Sequence, residues 1–321
     1  MKKIKFVTFV LLLVLCSAGK VSAQYYFYND DYYDTKLTFE FGGSAAVMNC
    51  LTDLGGRIGI GGPFLKDYQI GNSKFGGSIY LAATYNYAVG LRIEYTTGMV
   101  GAADSSQKNY AASSDGRYER NLSFRSPISE VALIAEFHPL YIFKNWANSD
   151  DPPPHFSPYL LAGVGHFHFN PQALYEGQWV DLQPLHTEGE GFKEYPNVKE
   201  YSLNQFNIPW GFGFRYELTS IINLRLEVID RVLFTDYLDD VSTRYIDPSV
   251  FKEYLSGTQL QEALALYMRP RPSTTEPWVN PRPGNLSKGI IGSIRGDPNN
   301  NDNYFSVNLK VGIILGREKI N

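Results

Sequence analysis

Cysteine is nearly absent from this 321-residue chain, which carries Cys16 and Cys50 and no others. Cys16 falls inside a leader-like N-terminus, so the rest of the chain holds Cys50 alone. A disulfide within the mature chain and a cysteine-based zinc site are therefore excluded. Long apolar runs are also scarce. The one such run, Phe6 to Cys16, is broken only by Thr8. It is too short for an ordinary membrane helix, which needs roughly 20 residues. Any membrane crossing must then be made by strands. The sequence also lacks a nucleophile elbow, a phosphate-binding glycine loop and an HExxH zinc motif, which weakens an enzymatic reading.

What surrounds the short run has the order of a secretory leader. Lys2, Lys3 and Lys5 precede it, and Val21-Ser22-Ala23 offers small residues at the cleavage positions. The expected leader is 1–23, with Gln24 as the new N-terminus and 24–35 as a leading segment. Leu15 in front of Cys16 is a poor residue for lipoprotein cleavage. Removing Lys2, Lys3, Lys5 and Lys20 from 29 basic residues leaves 25 against 33 acids, a net charge of -8. That balance argues against nucleic acid as a partner.

The composition is rich in 23 Tyr, 20 Phe and 29 Gly, at a mean hydropathy of -0.24. A mildly polar, exported, aromatic and glycine-rich chain suits a transmembrane barrel. A secreted β-sandwich shares these numbers, so the pattern along the chain has to decide. Eight segments alternate apolar and polar residues with period two, as a wall between lipid and lumen requires. They begin near Lys36, Phe75, Val89, Asn121, Pro158, Asn207, Ile222 and Asn303. The sixth is the clearest, with Ile208, Trp210, Phe212, Phe214, Tyr216 and Leu218 on one face. The fifth is ambiguous because both of its faces are apolar or glycine; Leu160, Ala162 and Val164 are assigned outward.

Connections one, three, five and seven are long, and two, four and six are shorter. The predicted fold is all-β: an antiparallel up-and-down transmembrane barrel over 36–321, of about eight strands. Long loops lie outside and both termini in the periplasm. The last outer loop, about 236–302, should hold a short helix. Asp247-Pro248 would start it, Thr258 and Gln261 would form a capping box, and Pro270 would stop it.

The inward faces collect Glu40, Arg92, Glu94, Glu130, Glu136, Arg215, Glu217, Arg225, Glu227, Arg231 and Lys310. A barrel of eight strands has room for side chains and little more. Charges buried there must pair. The expected result is a salt-bridged plug rather than an ion path. His166 and His168 share one face, and His186, Glu188 and Glu190 follow in the next loop. Zinc needs converging ligands, so local packing is the expected role, with no metal and no cofactor. Asp236, Asp239 and Asp240 follow strand seven without the spacing of a calcium loop, and backbone capping is expected of them.

Four segments resemble a family of Bacteroidota outer-membrane barrels. They are Asn121-Leu122-Ser123-Phe124-Arg125, Phe167-His168-Phe169-Asn170-Pro171, Leu185-His186-Thr187-Glu188-Gly189 and the stretch from Phe234 to Thr243. The last, with Asp236, Tyr237, Asp239 and Asp240, is the most specific. The family includes the PorG-like barrel of the type IX secretion machinery. The resemblance implies a non-enzymatic envelope component, bounded by outer-membrane lipids. Its partners would be periplasmic or outer-membrane proteins, such as ring or lipoprotein subunits. A small porin or transporter is the alternative from the residues alone, and an outer-membrane hydrolase a weaker one.

Overall fold

Period-two alternation turns every second side chain to the same face. Closing the sheet then gives one apolar surface outside and one polar surface inside. A computed structural model describes residues 36–54, 70–106, 117–142, 155–219, 221–270, 272 and 291–315. The expected leader, the segment 24–35, Pro152 to Pro154 and residues 316–321 lie outside the described residues.

The wall strands are β1 (Leu37–Leu51), β2 (Lys74–Tyr85), β3 (Val89–Ala103), β4 (Ser123–Phe137), β5 (Phe156–Phe169), β8 (Asn204–Glu217), β9 (Ile222–Leu233) and β10 (Asn303–Leu315). Each pairs antiparallel with its neighbours in the chain, and β1 pairs with β10 to close the circle. The fold is thus a closed eight-stranded antiparallel barrel. The register can be walked round the wall through Phe39, Ala83, Leu91, Ala135, Ala162, Trp210, Asp230, Phe305 and Asn49. The walk leaves β1 at Phe39 and returns to it at Asn49, a stagger of ten residues. For eight strands that stagger tilts them about 40° from the axis, as membrane barrels require.

The outward face carries Leu37, Phe39, Phe41, Ile79, Leu81, Leu91, Ile93, Leu133, Leu160, Trp210, Phe212, Leu226, Leu309 and Ile313, all large and exposed. Soluble monomers do not present such a belt to water. It is the surface of a barrel solvated by hydrocarbon. Asp230 breaks the pattern on this face, but the indole Nε1 of Trp210 donates to it at 3.0 Å. The assignment made for strand five holds: Leu160 and Val164 point out while Tyr159, Leu161 and Phe167 are buried. Asn86, Tyr87 and Ala88 join β2 to β3; Asn86 and Tyr87 both take positive φ in a turn closed by the Ala88 amide donating to the Tyr85 carbonyl at 3.0 Å.

Outside the membrane the chain departs from a plain loop reading. A second hairpin, β6 (Gln172–Tyr175) and β7 (Gln178–Asp181), continues from the wall through an Arg125–Gln172 bridge to β4. A helical turn, α1 (Arg117–Arg120), precedes β4. The last loop holds two helices, α2 (Phe251–Tyr254) and α3 (Gly257–Tyr267). Asp247 does cap the entry turn, accepting from the Ser249 amide at 2.9 Å. The capping box expected at Thr258 and Gln261 does not form. The chain has already entered α3 at Gly257, with Ser256 at the cap and no side-chain bond there. Ala173, Leu182, Leu185 and Phe192 from the hairpin region pack with Tyr245, Phe251, Ala263, Leu266 and Tyr267 as a small core above the barrel.

Two glycines decide how tightly the lumen closes. A Cβ on Gly42 would lie 2.5 Å from the Tyr80 ring and from the Val311 carbonyl, and one on Gly312 would lie 2.6 Å from the Tyr80 hydroxyl. Tyr80 reaches across the lumen because both positions lack side chains. Gly42→Ala and Gly312→Ala are each expected to cost about 1–3 kcal/mol through overpacking. The check is a lower urea midpoint for unfolding from lipid vesicles, with Gly71→Ala, where a Cβ meets nothing, as the neutral comparison.

Candidate functional site

The eleven inward charges expected from the sequence are all buried, none more than 4% exposed. Three guanidinium and ammonium groups organise the central layer. Arg92 on β3 contacts Glu94 at 2.9 Å, Glu136 at 2.5 Å and Glu227 at 2.7 Å. Arg225 on β9 grips Glu40 with Nε at 2.9 Å and Nη2 at 2.6 Å, and reaches Glu136 at 2.9 Å. Lys310 on β10 bridges Glu94 at 2.5 Å and Glu227 at 3.0 Å. Neutral donors complete the carboxylates: Tyr80 and Asn223 on Glu40, Ser78 on Glu94, and the Tyr159 hydroxyl on Glu227.

The remaining four charges lie at the layer's two ends. Arg231 pairs with Glu130 at 3.0 Å, which Asn207 also binds at 2.9 Å. At the opposite end Arg215 stands 3.8 Å from Glu217 and over the Tyr141 ring. Above the charged layer the lumen turns apolar, filled by Met48, Val100, Ile128, Phe167, Phe169 and Tyr304. Tyr80, Tyr159 and Asn223 were not singled out in the sequence. Their parity places them inward, and that was the available signal.

One grouping imitates a hydrolytic site. His138 Nδ1 lies 3.2 Å from the Ser157 hydroxyl, and its Nε2 lies 3.5 Å from Glu136. All three are essentially unexposed. Ser157 donates to the Pro158 carbonyl, the His138 ring stacks on Tyr159, and Glu136 is already held by two arginines. The His138–Ser157 distance is within reach for a base and nucleophile, but the fully buried hydroxyl leaves a substrate carbonyl no approach.

The second assembly caps the end of the barrel that carries the long loops, and it joins the segments that carry the family resemblance. Glu188 accepts from the amides of Ser242 and Thr243 at 3.0 and 2.7 Å and from the Thr243 hydroxyl at 2.6 Å. Thr187 and Tyr201 donate to Asp240 at 2.6 and 2.7 Å. Arg295 binds Glu188 at 2.9 Å and the Asp240 carbonyl at 2.7 Å. Asp239 accepts from the Val241 and Leu54 amides at 3.0 and 3.1 Å, which is the backbone capping expected of it. Tyr237 stacks on Tyr201 at 4.6 Å. Asp236 departs from expectation: it is buried but caps no described backbone amide, and the group that favours its charged form is the Ser242 side chain.

The cap is lopsided in charge. Among the described residues, Asp104, Glu188, Glu190, Asp236, Asp239, Asp240 and Asp302 are buried against two buried guanidiniums, Arg120 and Arg295. Burial and the nearby Asp53 push Asp236 up to about 9. Burial lifts Asp240 to about 6 against the pull of Arg295. Burial and neighbouring carboxylates also hold Glu190, Asp239 and Asp302 well above the usual carboxylate range. His166 and His168 point outward from β5, away from His186, Glu188 and Glu190, so the five are not brought together. Among the described residues no three His, Cys, Asp or Glu side chains converge to hold a metal ion.

No family model and no curated protein matches the chain. Among solved structures it is similar to Ail of Yersinia pestis, crystallised with the heparin analogue sucrose octasulfate. That match has 8% identity and a TM-score of 0.38, covering 88% of this chain and 100% of that one. It is also similar to Neisserial surface protein A, at 9% identity and TM-score 0.38, over 86% of this chain and 96% of that one. For the outer membrane protein OprG of Pseudomonas aeruginosa the values are 10%, 0.34, 87% and 95%. At these scores the likeness carries no functional argument.

Two measurements test this architecture. Arg225→Met strips Glu40 of both guanidinium bonds and is expected to cost about 3–5 kcal/mol, as for other broken buried pairs. Adding Glu40→Leu should return part of that loss, read from urea midpoints of the single and double variants. The cap should respond to pH with the opposite sign to a salt-bridged carboxylate. Its raised groups ionise more readily in the opened chain, so its stability is greatest below about pH 4. It then falls as pH rises from the ordinary 3.8 of an aspartate toward the value of about 9 for Asp236. Hydrogen exchange of residues 234–243 should quicken steadily from pH 5 to 9, after correction for intrinsic exchange. Asp236→Asn should flatten much of that slope.

Proposed function

We propose that this chain is a non-enzymatic outer-membrane barrel that works through its two ends, as a structural or scaffold component of a cell-envelope complex. The observation that carries this reading is the lumen. Four carboxylates and three cations are locked together across it, and an apolar plug lies above them. Ions or solutes crossing such a lumen would have to break buried pairs worth several kcal/mol each. The useful surfaces are then the outer cap and the periplasmic turns. The complex we propose is that of type IX secretion, and the support for it is the segments resembling the family that includes the PorG-like barrel. The short turns would face a periplasmic ring or lipoprotein subunit. In this reading the leader is cleaved after Ala23 and both termini lie in the periplasm.

The porin alternative needs an open path, and the hydrolase alternative needs an accessible nucleophile; the buried Ser157 does not supply one. A mild-detergent pull-down from native membranes is expected to recover envelope subunits in stoichiometric amount. Recovery of the barrel alone would count heavily against the scaffold role. Planar bilayers containing the pure protein should stay silent between pH 5 and 8, and steady unitary conductance would move the assignment to a porin. A fluorophosphonate probe should leave Ser157 unlabelled.

A further inference from the structure

The register also sets the height of each outward side chain. With strands tilted about 40°, one residue climbs about 2.4 Å and one step to the next strand about 3 Å along the axis. On that scale Phe75, His166, Phe206 and Phe305 reach a common level about 25 Å above Tyr85 and Phe156, which is the height of a barrel's hydrocarbon belt. Phe75 and Phe206 are 85% and 67% exposed there, as an aromatic girdle should be. Arg125 lies on the same outward face of β4, roughly 10 Å higher, at the level of lipid headgroups.

The β6–β7 hairpin extends this face outward. Gln172 pairs with Arg125, so Leu174 and its cross-strand partner Trp179 stand on the same side as the belt below. Both are exposed, at 46% and 40%. On the other side Ala173 is buried in the cap core. The Arg125 guanidinium lies 4.0 Å from the centre of the Trp179 ring. Its Nε donates to Gln172 at 2.9 Å, while its terminal amino groups donate to no described residue. Asn170 and Gln172 both donate to Oδ1 of Asp181, at 2.9 and 2.7 Å. Arg269 braces the hairpin from the cap, donating to the Leu174 carbonyl at 2.9 Å.

We propose that Arg125, Trp179 and Leu174 form a binding site for the headgroup of a phosphorylated glycolipid of the outer leaflet. The sugar lies against the indole and Leu174, and the phosphate takes the unused fork of Arg125. A guanidinium binds phosphate through two parallel donors, and stacking on an aromatic ring fixes its plane. The apolar pair beside it has a reason to be exposed, because the surface is continuous with the lipid-facing wall. The site rests on the membrane-barrel reading of the fold, and it adds a specific lipid to that reading.

The test uses the full chain in dodecylmaltoside and in bilayers, with Trp146 and Trp278 changed to Phe so that Trp179 and Trp210 report separately. Phospholipid brominated on its acyl chains should quench Trp210, in the belt, and spare Trp179. Bis-phosphorylated lipid A should shift Trp179 emission and remain bound in native mass spectrometry. Arg125→Gln should weaken that binding at least tenfold without moving the unfolding midpoint, and Trp179→Phe should weaken retention in the same assay. Dephosphorylated lipid A should bind at least tenfold more weakly than the phosphorylated form. Binding of lipid A by Arg125→Gln at wild-type strength would overturn the site. So would an equal Trp179 response to inorganic phosphate, which would make it a soluble-anion site. An unquenched Trp210 would overturn the membrane reading itself, separately from the site.

Discussion

A carboxylate inside an eight-stranded barrel has no water to retreat to, and the rest of this structure follows from how that cost is met. The wall's hydrogen bonds join only neighbouring strands. Three of the ion pairs join strands that are not neighbours: Arg225 on β9 to Glu40 on β1 and to Glu136 on β4, and Lys310 on β10 to Glu94 on β3. The lumen is therefore a set of struts across the cylinder. Four carboxylates face three cations at its centre, and the phenols of Tyr80 and Tyr159 supply the donors that remain. Tyr80 reaches its partner only because Gly42 and Gly312 leave space, and Tyr159 because Gly213 does. Charge pairing and glycine placement are one constraint seen from two sides.

Much of the wall was legible in the sequence because lipid and lumen demand opposite chemistry at alternate residues. Glu40 between Phe39 and Phe41, or Glu94 between Ile93 and Tyr95, admits one reading of which way each points. The contrast failed in strand five for a physical reason. Its inward residues Leu161, Phe167 and Phe169 line the apolar parts of the lumen, so both faces prefer the same residue types. The charges were legible as a list but not as pairs, since nothing local links Arg92 to Glu227. The cap was hardest to read. Glu188 meets Thr243 across 55 residues of sequence, and Thr187 meets Asp240 across 53. Each half looks like an ordinary polar loop until the other half is beside it.

The two buried polar assemblies solve opposite problems. In the lumen, acids and bases nearly balance, so each charge has a partner of opposite sign and the barrel is braced. In the cap, acids outnumber bases and some must keep protons to stay buried. A layer held by retained protons is the weaker of the two. Opening it exposes carboxyls that gain by ionising, whereas opening the lumen strands arginines without partners. The cap is thus where opening costs least, and the wall beneath is the braced part of the fold.

That division also fixes where partners can act. A ligand that reaches the lumen must first disturb the cap, then displace Phe167 and Phe169, and only then meet charges already satisfied. A ligand at the surface meets none of these costs. The β6–β7 hairpin makes the point in miniature. Its inner side is consumed by the cap core, and its outer side keeps a guanidinium with unused donors beside an exposed indole. Where a fold spends its interior on bracing itself, the groups left unsatisfied on its rim are the ones free to recognise something else.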